Sequence, residues 1–364
     1  MSRNKIQMSS YIFDRIHASA LAHDAHYLAD QNKRWLARKD EADLDLMVNA
    51  VVDVLALGAK TFAISIKNGG EIYFCFSGIA IPEQLPANLE EVEPTPGLFA
   101  CAVCCAELKA LGTASQAKDI LEQQYYGQAG YSGHELREIA TLFPKLYFVR
   151  VSAGGYAPYF NKLERVAGAY ITAGYPGHPL EFDSNLQLRL LALFESGADT
   201  IPFSLPLQGL LSYSWPSLFL DLYRCLEQLY TVLKLKSLVG MISHKGSLAD
   251  LAYLLEDKLS WRPKEQDALA SILVLSSDDT RSKILSAFKF DVDELDEYSP
   301  SKCARSIYKL RNSHVHFRPA MKAESRSSEQ WNEIMIAMCD AVDDIYEELG
   351  VEFLKDRTGS TSTV

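Results

Sequence analysis

Within six residues, Arg311-Asn312-Ser313-His314-Val315-His316 sets a guanidinium that never loses its charge, a carboxamide and two imidazoles that titrate near neutrality. Such a group can hold a phosphate and move a proton. Arg311 offers a bidentate fork to phosphate oxygens, Asn312 can orient either partner, and His316 can serve as acid or base. The same residues also admit a structural role, in which Arg311 pairs with an acid such as Glu227 while His314 and His316 satisfy carbonyls at a helix C-terminus, where cations are favoured.

The surroundings bear on that choice. Ser299 and Pro300 make a helix start, and Cys303, Ala304, Ile307 and Leu310 recur at three- and four-residue steps, so one amphipathic helix carries Arg311 near its C-terminal end before Pro319. Steps of about 100° per residue put His316 about 140° around an ideal helix from Arg311, and His314 about 60° away on the same side. Either the helix breaks between them or His314 is the working group. Between Lys302 and Arg326 seven cations, including Lys302, Arg305, Lys309 and Arg318, face the single acid Glu324, in a chain whose net charge is −11. A phosphate-bearing ligand is drawn to that island, with Lys302, Arg305, Lys309 and Arg318 as expected RNA contacts, whereas the acidic whole argues against indiscriminate nucleic-acid binding.

The spacing Arg-Asn-x-x-x-His at 311–316 resembles the signature of the HEPN superfamily. That resemblance covers about residues 215–350. It implies an all-α domain that works as a homodimer and cleaves single-stranded RNA or tRNA without a metal or other cofactor, through Arg311, Asn312 and His316, leaving a 2′,3′-cyclic phosphate. It also suggests a conditional toxin, such as an antiviral defence effector, held in check by an added domain. The alternative is a non-catalytic HEPN-like scaffold for dimerisation or RNA binding, and a third reading, a zinc-dependent nucleoside or nucleic-acid deaminase, concerns the N-terminal half.

The 364 residues, 48% hydrophobic and 23% charged, suffice for two domains. No apolar run approaches the roughly 20 residues that span a bilayer and no signal-peptide core follows the start, so a cytoplasmic protein with no membrane partner is expected. The seven cysteines are expected to be reduced. The fold class read from the pattern is an α+β N-terminal domain, of mixed helices and a small sheet, followed by an all-α helical bundle. The expected divisions are 1–180, an adapter at 181–214, the bundle at 215–352 and a disordered tail at 353–364.

Two helices are expected in the first 57 residues, the second carrying Leu44, Met47, Val48, Val51, Val52 and Leu55 and closed by Gly58. A hairpin follows, with strands 61–67 and 71–77 joined by Asn68-Gly69-Gly70, then a helix around 101–111, a helix opened by a capping box at Ser132-Gly-His-Glu135 and a strand at 146–151. His134 is expected on the surface. Farther on, 218–240 reads as one long helix, and the last helix, from Ser328, is expected to end at Gly350. The acidic run Asp291–Glu297 reads as a solvated loop.

Cys104-Cys105-Ala106-Glu107, after the hairpin, resembles the Cys-Ala-Glu helix of cytidine deaminases, in which the cysteine binds zinc and the glutamate shuttles protons. That family's later Pro-Cys-x-x-Cys is missing, so a degenerate domain that senses or docks an unknown trigger is expected in the N-terminal half, and buried core cysteines rather than a metal site. Tyr125, Tyr126 and Tyr131 are expected to pack, although tyrosines can also stack on a base.

Overall fold

A computed structural model describes residues 4–27, 32–37, 40–155, 157–174, 180–242, 247–288, 299–315 and 325–354. The chain divides into two compact units, Met1–Leu163 and Glu164–Val364.

The first unit is a five-stranded antiparallel sheet with helices on one face. Helix α1 (Lys5–His23) is capped by Asn4, which accepts from the Gln7 N–H, and α2 (Glu41–Asn49) by Asp40, which accepts from the Asp43 N–H. The strands are β1 (Val51–Ala56), β2 (Phe62–Asn68), β3 (Glu71–Ser77), β4 (Leu89–Val92) and, after α3 (Pro96–Cys105), α4 (Ala114–Gln123) and α5 (Leu136–Ala140), β5 (Leu146–Val151). Their spatial order is β1-β2-β3-β5-β4. The expected hairpin is present: Gly69 and Gly70 take φ of 56° and 89°, which only glycine adopts freely. Register puts Ile64, Cys75 and Phe148 on one face, where they join Ile12, Met47, Phe99 and Cys101 from the helices in a single core.

Four expectations fail in this unit: His134 is buried and not on the surface, the helix expected around 101–111 spans Pro96–Cys105, and two others concern where helices begin and end. The second helix stops at Asn49, and Val51–Ala56 is a strand paired residue for residue with β2. Its valines suit a pleated edge, and the ladder available from β2 outweighs their helix-like spacing. The helix expected from Ser132 opens later, at Leu136, with Glu135 and Glu138 forming the reciprocal cap.

His134 is only 2% exposed. Main-chain bonds fasten it to the 32–37 segment: its N–H donates to the Trp35 carbonyl and its carbonyl accepts from the Ala37 N–H. The ring Nε2–H donates to the Ile120 carbonyl at 3.1 Å, an acceptor only, so Nδ1 is left to accept from the Tyr131 hydroxyl at 3.0 Å. Tyr126 and Tyr131 pack against Trp35, as expected of packing aromatics. Burial pushes the His134 pKa below its ordinary 6.5, assisted by Arg34 and opposed by the Ile120 carbonyl and Glu138. A lowered histidine pKa means that the unfolded chain binds the extra proton more readily. The stabilisation is therefore complete above about pH 6.5 and fades as pH falls below it. Thermal unfolding of the wild type should lose more between pH 7.5 and 5 than that of His134→Asn; equal losses would show that His134 is not the responsible group.

The second unit has helices and no strand among its described residues. It comprises α6 (Leu163–Ala173), α7 (Ser184–Ser196), α8 (Ser204–Leu211), α9 (Trp215–Glu227), α10 (Val232–Ile242), α11 (Leu248–Leu259), α12 (Glu265–Leu273), α13 (Asp278–Ala287), α14 (Pro300–Val315) and α15 (Ser328–Leu354). Helix α15 is the central post: α7, α9, α11, α12 and α13 all pack on it. Its Ile334, Met338, Val342 and Ile345 are fully buried, at the three- and four-residue steps of an apolar stripe.

The segment read as an adapter is built into this unit. Asp183 donates its N–H to Asn332, and Arg189 of α7 reaches across to Asp340 and Asp343 of α15, the latter at 2.8 Å. Arg165, 2% exposed, donates to the carbonyls of Phe194 and Gly197 and so satisfies the end of α7.

The single helix expected over 218–240 is two, because the chain tightens after Glu227: Leu229 and Tyr230 bond back three residues and bury their side chains. The last helix passes through Gly350 to Leu354. Gly350 serves close approach and not termination, since a Cβ there would sit 1.9 Å from the Thr200 hydroxyl. The tail at 355–364 and the run Asp291–Glu297 lie outside the described residues.

Candidate functional site

Helix α14 buries Cys303, Ala304, Ser306, Ile307 and Leu310 against α9, α12 and α13. It runs unbroken through Val315, so His314 stays on the Arg311 side of the helix. His316 and Arg318, the other half of the motif and one of its basic flanks, lie outside the described residues.

Arg311 emerges at the margin of the buried face, its side chain 16% exposed, where the C-terminal end of α9 and the first turn of α12 meet α14. Two carboxylates hold it: Glu265 Oε2 lies 3.4 Å from Nη1 and Glu227 Oε1 lies 3.9 Å from Nη2. Nη1 also donates to Asn312 Oδ1 at 3.0 Å, and the guanidinium carbon sits 5.7 Å from the centre of the Tyr223 ring. The fork is therefore oriented from three sides. The pairing with Glu227 named from sequence is present, and Glu265 and Tyr223 are additions that nothing local in the sequence announced.

Charge in this corner is unbalanced, with one guanidinium against two glutamates. Burial raises the Glu227 pKa above its ordinary value, neighbouring Glu265 raises it further, and Arg311 and Arg224 pull it back. Glu265 stands in the first turn of α12, where the helix dipole favours a negative charge; Glu227 ends α9, where it does not. Burial also pushes the Tyr223 hydroxyl up to about 12, so it remains a neutral donor at physiological pH.

His314 lies one turn beyond Arg311, its ring 5.7 Å from that of Trp331. Arg326 sits over the same indole at 5.8 Å, and Trp215 lies parallel to it at 6.3 Å. Lys302, Arg305 and Lys309 are exposed on α14. They lie between about 120° and 180° around the helix from Arg311, so they form a separate basic stripe and do not line the same corner. A ligand touching both must reach around α14.

No family model, curated protein or solved structure matches this chain. What the corner can do follows from its groups. A fixed guanidinium, an amide beside it and an imidazole one turn away can bind an oxyanion and exchange a proton with it. Glu227 and Glu265 occupy the faces such an anion would use, and they repel it while both are ionised.

In the first unit, α3 ends at Cys105, and Glu107 follows in the left-handed region with φ of 51°. The Cys101 thiol donates to the Leu46 carbonyl and the Cys104 thiol to the Met8 carbonyl, in two different helices. Cys101 is fully buried, in the core role expected of it. Among the described residues no three His, Cys, Asp or Glu side chains converge as a metal site. None of their helices is long and apolar enough to cross a membrane.

Proposed function

We propose that the second unit is an endoribonuclease of HEPN type, cutting RNA by attack of its own 2′-hydroxyl on the adjacent phosphate. The observation that carries this reading is the placement of Arg311, half-buried at a three-helix junction with Asn312 on its fork and His314 on its side of α14. In the proposed reaction Arg311 gathers the phosphate charge as the phosphorane forms. A histidine of the motif, His316 in the family pattern, passes a proton to the departing 5′-oxygen, and the matching histidine of a second copy takes the proton of the attacking 2′-hydroxyl. A second copy supplies the matching set across a two-fold axis. On this reading the first unit controls the second, and the protein is a conditional toxin or antiviral effector.

One observation favours the non-catalytic scaffold: Arg311 is already matched by two acids, as a structural guanidinium would be. The two readings separate on one measurement. Purified protein incubated with single-stranded RNA and tRNA should release fragments ending in a 2′,3′-cyclic phosphate, with EDTA present, and should leave DNA intact, because DNA lacks the nucleophile. Sedimentation should find a dimer at micromolar concentration. Intact RNA would retire the ribonuclease; cut DNA, or loss of cleavage with EDTA, would retire the mechanism.

A further inference from the structure

The first unit leaves one edge of its sheet open beside a cleft. Strand β4 is the last in the order and, among the described residues, pairs with β5 alone. Its ladder can be phased: the Ser152 N–H donates to the Asn88 carbonyl, and alternation along an antiparallel pair then turns Glu90 and Val92 toward β5. The N–H and C=O of Glu91 consequently point out of the sheet, where a further strand would take them.

Next to this edge, between β4, α3 and the turn before β5, is a cleft of about 340 Å³. Its floor is apolar, with Phe99 and Phe148 buried and Val92 and Leu146 half-buried. Its lip is acidic. Glu90 is paired with Arg150 at 2.6 Å, but Glu91 and Glu93 are exposed and have no ion-pair partner among the described residues. Among the described residues that line the cleft, the one cation is Lys145, which lies over the Tyr147 ring at 4.8 Å.

We propose that the β4 edge and this cleft form a docking site for an extended segment of a partner protein in which apolar side chains alternate with Lys or Arg. Main-chain bonds to Glu91 would add the segment as a sixth strand. Its alternate side chains would then fall on opposite faces, apolar ones into the cleft and basic ones beside Glu91 and Glu93. A second copy of this chain is a poor occupant, because antiparallel pairing of β4 with itself sets Glu91 opposite Glu91 or Glu93 of the other copy. The site does not depend on the ribonuclease reading. If both hold, it is where a trigger would reach the controlling unit.

The test is selection of random peptides displayed on phage against the full chain, followed by anisotropy titration of the enriched sequences as labelled synthetic peptides. Enriched peptides should alternate apolar residues with Lys or Arg. Glu91→Lys with Glu93→Lys should weaken them by about tenfold or more, as reversal of two facing charges does. Both positions are exposed, so the circular dichroism and thermal midpoint of the double variant should match the wild type; Glu93→Lys alone serves if they do not. N-methylating alternate residues along one edge of the peptide should abolish binding, and along the other edge should not. Failure to enrich any peptide, enrichment of acidic or uncharged peptides, indifference to the charge reversal, or tolerance of methylation on both edges would each overturn the proposal.

Discussion

Arg311→Ala is expected to lower RNA cleavage by about two to three orders of magnitude, the usual loss when a positioned donor to a developing oxyanion is removed. The same change leaves Glu227 and Glu265 facing each other without their cation, so stability should also fall, and the alanine variant alone cannot separate chemistry from folding. Arg311→Lys separates them. It keeps the charge between the two acids but gives up the planar fork, so the fold should survive while cleavage stays low. Glu265→Gln supplies the converse: with one repelling charge gone, RNA should bind several-fold tighter at low salt. His316→Ala should be inactive and His314→Ala largely active. The reverse result for the two histidines would move the proton-transfer role to His314, which α14 keeps on the Arg311 side. Full activity in Arg311→Lys would remove the bidentate clamp from the mechanism altogether.

Arg189→Met should destabilise the second unit by about 3 kcal/mol or more, as truncating one partner of a buried ion cluster does. The Arg189 side chain is 19% exposed, and Asp340 and Asp343 are 11% and 20% exposed, so solvent screens the cluster only weakly. Lys283, 2.9 Å from Asp340, is left as its partner in the variant, but Asp343 loses its guanidinium. Burial works against the Arg189 charge, and the surrounding groups, Cys339, Asp343 and Asp340, raise its pKa above the ordinary arginine value. Chemical denaturation measures the loss directly. A change under about 1 kcal/mol would show that α7 is held to α15 by apolar packing alone.

Local signals were readable in the chain and distant ones were not. The Asn68-Gly69-Gly70 turn needs only its own backbone freedom, and the stripe on α15 needs only its own period, so both follow from sequence. Val51, Val52 and Leu55 continue the spacing of α2, and what makes them a strand is β2, which no local window contains. Strand β4, four residues of which two are glutamates, carries no strand signal of its own. At the candidate site, Arg311, Asn312 and His314 were legible as a motif, and Glu227 as a plausible partner. Glu265 was not, because it is an ordinary first-turn acid until the packing of α12 on α14 brings it to Arg311. The burial of His134 was missed for the same reason: its neighbours come from the 32–37 segment and Ile120.

Helix α15 follows in the chain every helix that it organises, and this order has a consequence during synthesis. The first unit is compact in itself and can fold while the rest is still being translated. The second cannot close in that way, since α7, α9, α11, α12 and α13 must wait for α15 to leave the ribosome. Arg311, on α14, is emitted before the post that steadies α9 and α12 around it. A nascent chain therefore carries a folded first unit well before it carries an assembled Arg311 corner.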